Sequence, residues 1–313
     1  MIKIYALSGG RVEERERSDF EKVSRTGIVW VDVLDPTEEE IGWLREKVGF
    51  EMPSKEVMGD IEISSKYMEE GDSISINMSF VIQQKEEIIV EPVFFFIRER
   101  FFVTLRYRDI PAIMIFLARL RANRSYVQFA ESLFSEILSI EVDRVGDRLE
   151  ILGRRIRKIW KQIFVEQSQE LIKDIAYYDE LNITLRESIN EKIRVLSHFV
   201  KSPLINAQTK RELKVLMDDL STLLDYTSFY MEKIDSIQNS LLGLITIRQN
   251  EAVKVFTVIA TIFLPATLIA SIFGMNFEFM PELSWKYGYP YSLLLMVGVT
   301  LSLLFWVRRK GWL

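Results

Sequence analysis

A row of residues recurs at steps of three and four along one stretch of the chain: Asn250, Val253, Thr257, Ala260, Leu264, Thr267 and Ser271. On an α-helix that spacing gathers them onto one face. Small and hydroxylated side chains on a face of an otherwise apolar helix suit a water-filled passage, where neutral oxygens meet a solute. They suit a close helix–helix seam equally well, and the periodicity does not choose. Beyond the row stands Gly274-Met275-Asn276. Glycine followed by a polar residue is an ordinary helix ending. It also sets the carboxamide oxygen of Asn276, a neutral acceptor, at the mouth of whatever the face lines.

Other chemistry is scarce. The 313 residues include no cysteine and a single histidine, His198. That removes disulfides, thiolate metal sites, Cys nucleophiles and paired-His centres, and His198 reads most simply as a helix-end residue near a negative dipole end. No Gly-x-x-x-x-Gly-Lys-Ser/Thr phosphate loop occurs. An enzyme is not expected. A net charge of −5 gives no general pull towards nucleic acid. The densest basic run, Arg154 to Lys161, has even apolar interruptions. It reads as the charged face of a packed helix, ahead of a site for anionic headgroups or nucleic acid.

The elements that must carry the polar row are apolar. Val255 to Phe277 is 23 residues without a formal charge, and Tyr287 to Val307 another 21. About 20 residues of helix cross the roughly 30 Å hydrocarbon core, so both runs can span a bilayer. The alternative, two buried helices of a soluble core, would need helices of unusual length without charge. Arg248, Lys254, Arg308, Arg309 and Lys310 flank the outer ends of the pair, while the nine-residue connection holds Glu278, Glu282 and Lys286. The positive-inside rule then puts both termini in the cytoplasm, with Arg308, Arg309 and Lys310 as an inside anchor at the lipid surface.

Residues 1–125 carry strand signals, at Met1–Leu7, Ile28–Val33, Ile74–Ile82, Ile88–Ile97 and Phe101–Leu105, with a helix expected to start at Asp35 as its cap, Pro36 in its first turn and Glu38, Glu39 and Glu40 at its positive end. This predicts an α/β cytoplasmic domain. Long helices follow over 126–205. A stalk helix over 206–277 continues into a first span at about 253–273, then come an external loop at 278–286, a second span at 287–307 and a basic tail at 308–313. A nearly heptad stripe runs from Leu213 through Leu220, Thr227, Ile234 and Leu241. A helix of about 65 residues is roughly 100 Å long and is expected to bury such a stripe by bundling with copies of itself.

Ser271-Ile-Phe-Gly-Met-Asn-Phe277, then Met280-Pro-Glu-Leu283, Tyr287-Gly-Tyr-Pro290 and the basic end resemble the CorA family of magnesium and cobalt transport proteins. Gly-Met-Asn sits at the outer end of the first of two C-terminal spans, as in that family, and the resemblance extends over Asn250–Leu313. It implies a funnel-shaped homopentamer in the cell membrane, its pore lined by the first spans. It also implies Mg²⁺ uptake, with Co²⁺ and Ni²⁺ as further cargo. Gly274, Met275 and Asn276 would form the selectivity filter. Asn250, Val253, Phe256, Ala260, Leu264 and Thr267 fall on the family's pore positions, Leu264 and Val253 standing where it has methionines.

Mg²⁺ sheds its water shell reluctantly, so a passing site should greet the hydrated ion with weak, neutral acceptors. Gly274 is expected to use positive φ at the helix end, and threonine hydroxyls to help the Thr261 carbonyl that Pro265 deprives of a donor. The family's closure by cytoplasmic Mg²⁺ between subunits suggests Glu86, Glu87, Asp218 and Asp219 as regulatory ligands. No organic cofactor is implied. The competing reading is a membrane-anchored helical scaffold or sensor that carries no ion.

Overall fold

In a computed structural model, residues 1–8, 11–23, 28–49, 53, 58, 66–84, 87–122, 129–165, 168–275, 278, 280–281 and 285–311 are described. The chain divides into two compact units, Met1–Ile237 and Gln238–Leu313.

The first unit opens with strands β1 (Ile2–Ser8) and β2 (Arg11–Arg15), the single-turn helix α1 (Phe20–Val23), β3 (Ile28–Leu34) and helix α2 (Glu38–Val48). Strands β4 (Tyr67–Glu70), β5 (Ser73–Gln84), β6 (Glu87–Arg98) and β7 (Phe101–Arg106) complete one seven-stranded sheet, in the order β2-β1-β3-β7-β6-β5-β4. Among the described residues, only β3 and β7 pair in parallel. Phe94, Phe95 and Phe96 of β6 are all buried, because a central strand covered on both faces loses alternation. Pro92 is tolerated because β7 pairs with β6 only from Phe94 to Arg98, leaving the proline opposite Ser79 alone. Across the parallel joint, Arg106 forks onto the Asp32 carboxylate at 2.8 and 3.1 Å. Thr104 Oγ1 donates to the same carboxylate at 2.7 Å and accepts from Trp30 Nε1 at 3.1 Å. A buried charge pair is tolerated when its remaining hydrogen bonds are satisfied in this way.

The cap of α2 is Thr37 rather than the expected Asp35, and Pro36 precedes the helix instead of lying in its first turn. Its hydroxyl accepts from the Glu40 N–H, and the Glu40 carboxylate accepts from the Thr37 N–H. Asp35 instead takes the left-handed bend that ends β3, at φ 45°.

Helix α3 (Pro111–Ala122) leads to α4 (Ala130–Gln162) and α5 (Gln169–Phe199), which pack on one face of the sheet and on each other. Beyond the end of β4, α5 covers the β5 edge. The Ser79 N–H donates to Glu191 Oε1 at 2.6 Å, and the Ser79 carbonyl accepts from Lys192 Nζ at 2.6 Å.

Helix α6 (Ala207–Phe273) is capped by Asn206, whose Oδ1 accepts from the N–H groups of Gln208 and Thr209 at 2.9 Å. Within the first unit its stripe is buried by its own chain, at Leu213, Leu216, Leu220, Thr227, Ile234 and Ile237. Helices α4 and α5 supply the cover. Asn182 Nδ2 donates to the Thr227 carbonyl at 2.9 Å, and the Tyr230 hydroxyl lies against Gly153. Within the first unit, then, two helices of the same chain cover this part of the stripe, a cover that the sequence expectation had given to copies.

The second unit holds the rest of α6 and helix α7 (Gly288–Arg309). Mean hydropathy reaches 2.2 over the most apolar stretch of α6 and 1.9 over that of α7, yet only 6% and 11% of those stretches are buried. Helices of a soluble core would be covered. These expose apolar surface that only lipid or further protein can accept.

Candidate pore-lining face

Asn250, Val253, Phe256, Thr257, Ala260, Leu264, Thr267 and Ser271 all lie on the continuous helix α6. At about 100° per residue they occupy roughly 120° of its circumference. All eight are exposed in the single chain, Val253, Phe256 and Leu264 by more than 60%. Val258, about 140° round from Val253, is buried. Exposure alone does not mark the face, since Val255 and Ile259, which point away from it, are open too. Its oxygens do: Asn250, Thr257, Thr267 and Ser271 share it.

The threonine protons are already committed. Thr257 Oγ1 donates to the Val253 carbonyl, Thr261 Oγ1 to Thr257 and Thr267 Oγ1 to Phe263, each at 2.8 Å. Each hydroxyl thus keeps its lone pairs and offers a neighbour an acceptor. None of these three serves the Thr261 carbonyl, contrary to expectation. A side-chain hydroxyl reaches back three or four residues, and the positions that would reach Thr261 are Leu264 and Pro265 itself.

At the end of the helix Gly274 N–H is shared between the carbonyls of Ala270 (2.9 Å) and Ser271 (3.2 Å), and Met275 N–H reaches Ile272 at 3.3 Å. Gly274 is not among the residues at positive φ, which corrects the sequence expectation. Glycine fits here for space. An added Cβ would stand 3.1 Å from the Ala270 carbonyl oxygen, because the last turn tightens. Met275 is 43% exposed. Asn276 lies outside the described residues.

Of the acidic candidates, Glu86 also lies outside the described residues. Glu87 is exposed at the start of β6, opposite Gln84. Asp218 and Asp219 are exposed on α6. No group of three or more potential metal ligands is gathered within the single chain among the described residues. Asp219 does border a groove of about 710 Å³ with Asp143, Asp147, Arg119 and Arg144. The sequence reading passed over Asp143 and Asp147, although their four-residue spacing on α4 places them on one face.

Arg308, Arg309 and Lys310 are exposed at the end of α7. Lys310 Nζ lies 5.9 Å from the Trp306 ring centre, and Lys254 Nζ donates to the Gly311 carbonyl at 3.1 Å. His198 stands in the last turn of α5, its ring stacked on Tyr67 at 5.9 Å. In the basic run, Ile156 and Ile159 are buried and the charges around them exposed.

A family model described as CorA-like Mg2+ transporter protein matches residues 25–309. The magnesium transport protein CorA of Wolinella succinogenes is 31% identical over the full length of both chains. Among solved structures, the complete CorA magnesium transporter of Methanocaldococcus jannaschii superposes with a TM-score of 0.83 at 19% identity, covering 100% of this chain and 99% of that one. The full-length CmaX protein gives 0.79 at 18%, covering 99% and 97%.

Proposed function

The chain belongs to the CorA-like Mg2+ transporter family, and from that membership we propose that it conducts hydrated Mg²⁺ into the cell, down the membrane potential. The conducting unit is a homopentamer in the cell membrane, with α6 of each copy turned to the axis, α7 outside it and both termini in the cytoplasm. The observation that carries this reading is the single face of α6 on which threonine hydroxyls, their protons bound to their own helix, remain as acceptors. The water shell of Mg²⁺ presents only donors, so acceptor oxygens read it without stripping it. The dication gains about 4.6 kcal/mol per 100 mV on entry, twice the single-charge value, so no nucleotide engine is required.

Gly274, Met275 and Asn276 form the filter, where neutral oxygens hold the ion weakly enough to release it. Val253, Phe256 and Leu264 narrow the path and close it by dewetting when the copies draw together. Co²⁺, and Ni²⁺ after it, pass by the same hydrated route. Internal Mg²⁺ closes the assembly through acids at the contacts between copies, with Glu86, Glu87, Asp218 and Asp219 as its ligands. Arg308, Arg309 and Lys310 anchor the inner end at anionic lipid.

The test is Mg²⁺ influx into liposomes that hold the purified chain under an inside-negative potential, wild type beside Asn276→Ala. Potential-dependent entry that is lost in the variant supports the reading. Equal entry in both moves the filter elsewhere. No entry in either, with the oligomer intact and internal Mg²⁺ removed, leaves a membrane-anchored scaffold.

A further inference from the structure

The basic run of α4 does more than solvate a helix face. Between α4 and α6, within the first unit, lies an open groove of about 610 Å³, inside the range of small-molecule sites. Its rim carries Arg157, Lys158 and Lys161 from α4 and Lys233 from α6, and none of these four has a carboxylate partner among the described residues. Arg154, also on the rim, is paired with Glu150 at 2.5 Å. Among the described residues, no acidic one lines the groove. Four exposed cations converging on one concavity without a carboxylate among them favour a multivalent anion there.

The walls add a second requirement. Trp160, Phe229 and Tyr230 line the same groove, and Trp160 and Phe229 are 40% and 51% exposed. Aromatic rings left this open beside cations offer faces for a flat π-system. Lys233 Nζ already lies over the Phe229 ring, at 5.4 Å. The Tyr230 hydroxyl lies against Gly153, in the space that any side chain at residue 153 would fill. A ligand that meets both demands has a planar aromatic end and a polyanionic end.

We propose that this groove binds a nucleoside triphosphate. The base stacks against Trp160 and Phe229, and Arg157, Lys158, Lys161 and Lys233 hold the phosphates, the arginine by a two-pronged contact. The site belongs to the first unit alone and its test reads binding. It therefore stands or falls separately from the transport reading.

Equilibrium dialysis of radiolabelled ATP against the full chain in non-ionic detergent, with EDTA present, is the direct experiment. Saturable binding is expected, weakened at least about tenfold by Lys158→Gln with Lys161→Gln, or by Lys233→Gln should the pair disturb the fold. Trp160→Ala should weaken ATP by about tenfold, the worth of one stacked base, and leave inorganic tripolyphosphate unaffected. Each variant should keep the wild-type elution volume and Mg²⁺ influx. No saturable ATP binding would overturn the proposal. So would tripolyphosphate binding as tightly as ATP with Trp160→Ala without effect, which would reduce the groove to a charged patch. Binding of phosphatidylglycerol vesicles in place of ATP would assign it to lipid headgroups instead.

Discussion

Thr267→Val isolates the chemistry assigned to the pore face. Valine has nearly the shape of threonine, and the Phe263 carbonyl that loses the hydroxyl proton keeps its place in the helix. What disappears is one acceptor oxygen per copy. A hydrogen bond of this kind is worth about 0.5–1.5 kcal/mol net. If a hydrated ion at the axis touches three such oxygens at once, about 1.5–4.5 kcal/mol is added to the barrier, or at least about a tenfold loss of flux. The assay is the initial rate of Mg²⁺ entry into proteoliposomes, read by an enclosed Mg²⁺-sensitive dye. Thr267→Ser retains the acceptor and should conduct near the wild-type rate. Thr261, half-buried on the flank of the face, supplies the control, and Thr261→Val should change little. Wild-type influx in Thr267→Val, or an equal loss in Thr261→Val, would refute the reasoning.

Leu264→Asn puts a wettable group where the gate is assigned, and influx should persist at internal Mg²⁺ that silences the wild type. A variant that still closes would move the gate. Gly42 has nothing within 4 Å of an added Cβ, whereas at Gly153 the Tyr230 hydroxyl is in the way. Gly42→Ala should stabilise by about 0.8–1 kcal/mol and Gly153→Ala destabilise by about 1–3 kcal/mol, both read by denaturant unfolding of the purified protein. Burial raises the Glu141 carboxyl above its ordinary value, more than Lys192, Arg148 and Arg144 lower it. A raised folded-state value means that this group's contribution is complete below pH 4.5 and is lost as the pH climbs through the raised value. The stability difference between wild type and Glu141→Gln should therefore shift towards the variant as the pH rises above 4.5. A pH-independent difference would contradict the shift.

The sequence signals were strongest where one physical constraint acts alone. Two long uncharged runs need nothing but hydropathy to be seen, and β3, β5, β6 and β7 carry β-branched and aromatic residues because both sides of the sheet are covered. Strands β2 (Arg-Val-Glu-Glu-Arg) and β4 (Tyr-Met-Glu-Glu) gave no such signal. They are edge strands with solvent-facing charge, and only pairing with a neighbour makes them strands. The cap of α2 was misplaced because Asp, Pro and Thr are all helix-start residues, and the choice rests on which side chain, the Asp35 carboxylate or the Thr37 hydroxyl, accepts from the Glu40 N–H. Gly274 was credited with conformational freedom when its service is lack of bulk, a distinction that depends on where Ala270 points its carbonyl. The polar row of α6 could be placed on one face from spacing alone. Which surface that face meets is decided by neighbours that the spacing does not encode.

The lone parallel joint of the sheet has a consequence for the order of assembly. Strands β1–β3 and β4–β7 each form from antiparallel partners near in sequence, whereas Asp32 and Arg106 must meet across 74 residues. Closing so long a loop costs entropy before the ion pair can offset it, so the two halves should gain their ladders first and be welded last. In pulsed hydrogen exchange during refolding, the β5–β6 amides should be protected before those shared by β3 and β7. Simultaneous protection would mean that the halves have no independent existence. The forked Arg106–Asp32 contact then serves as the fastening that registers one finished half-sheet on the other.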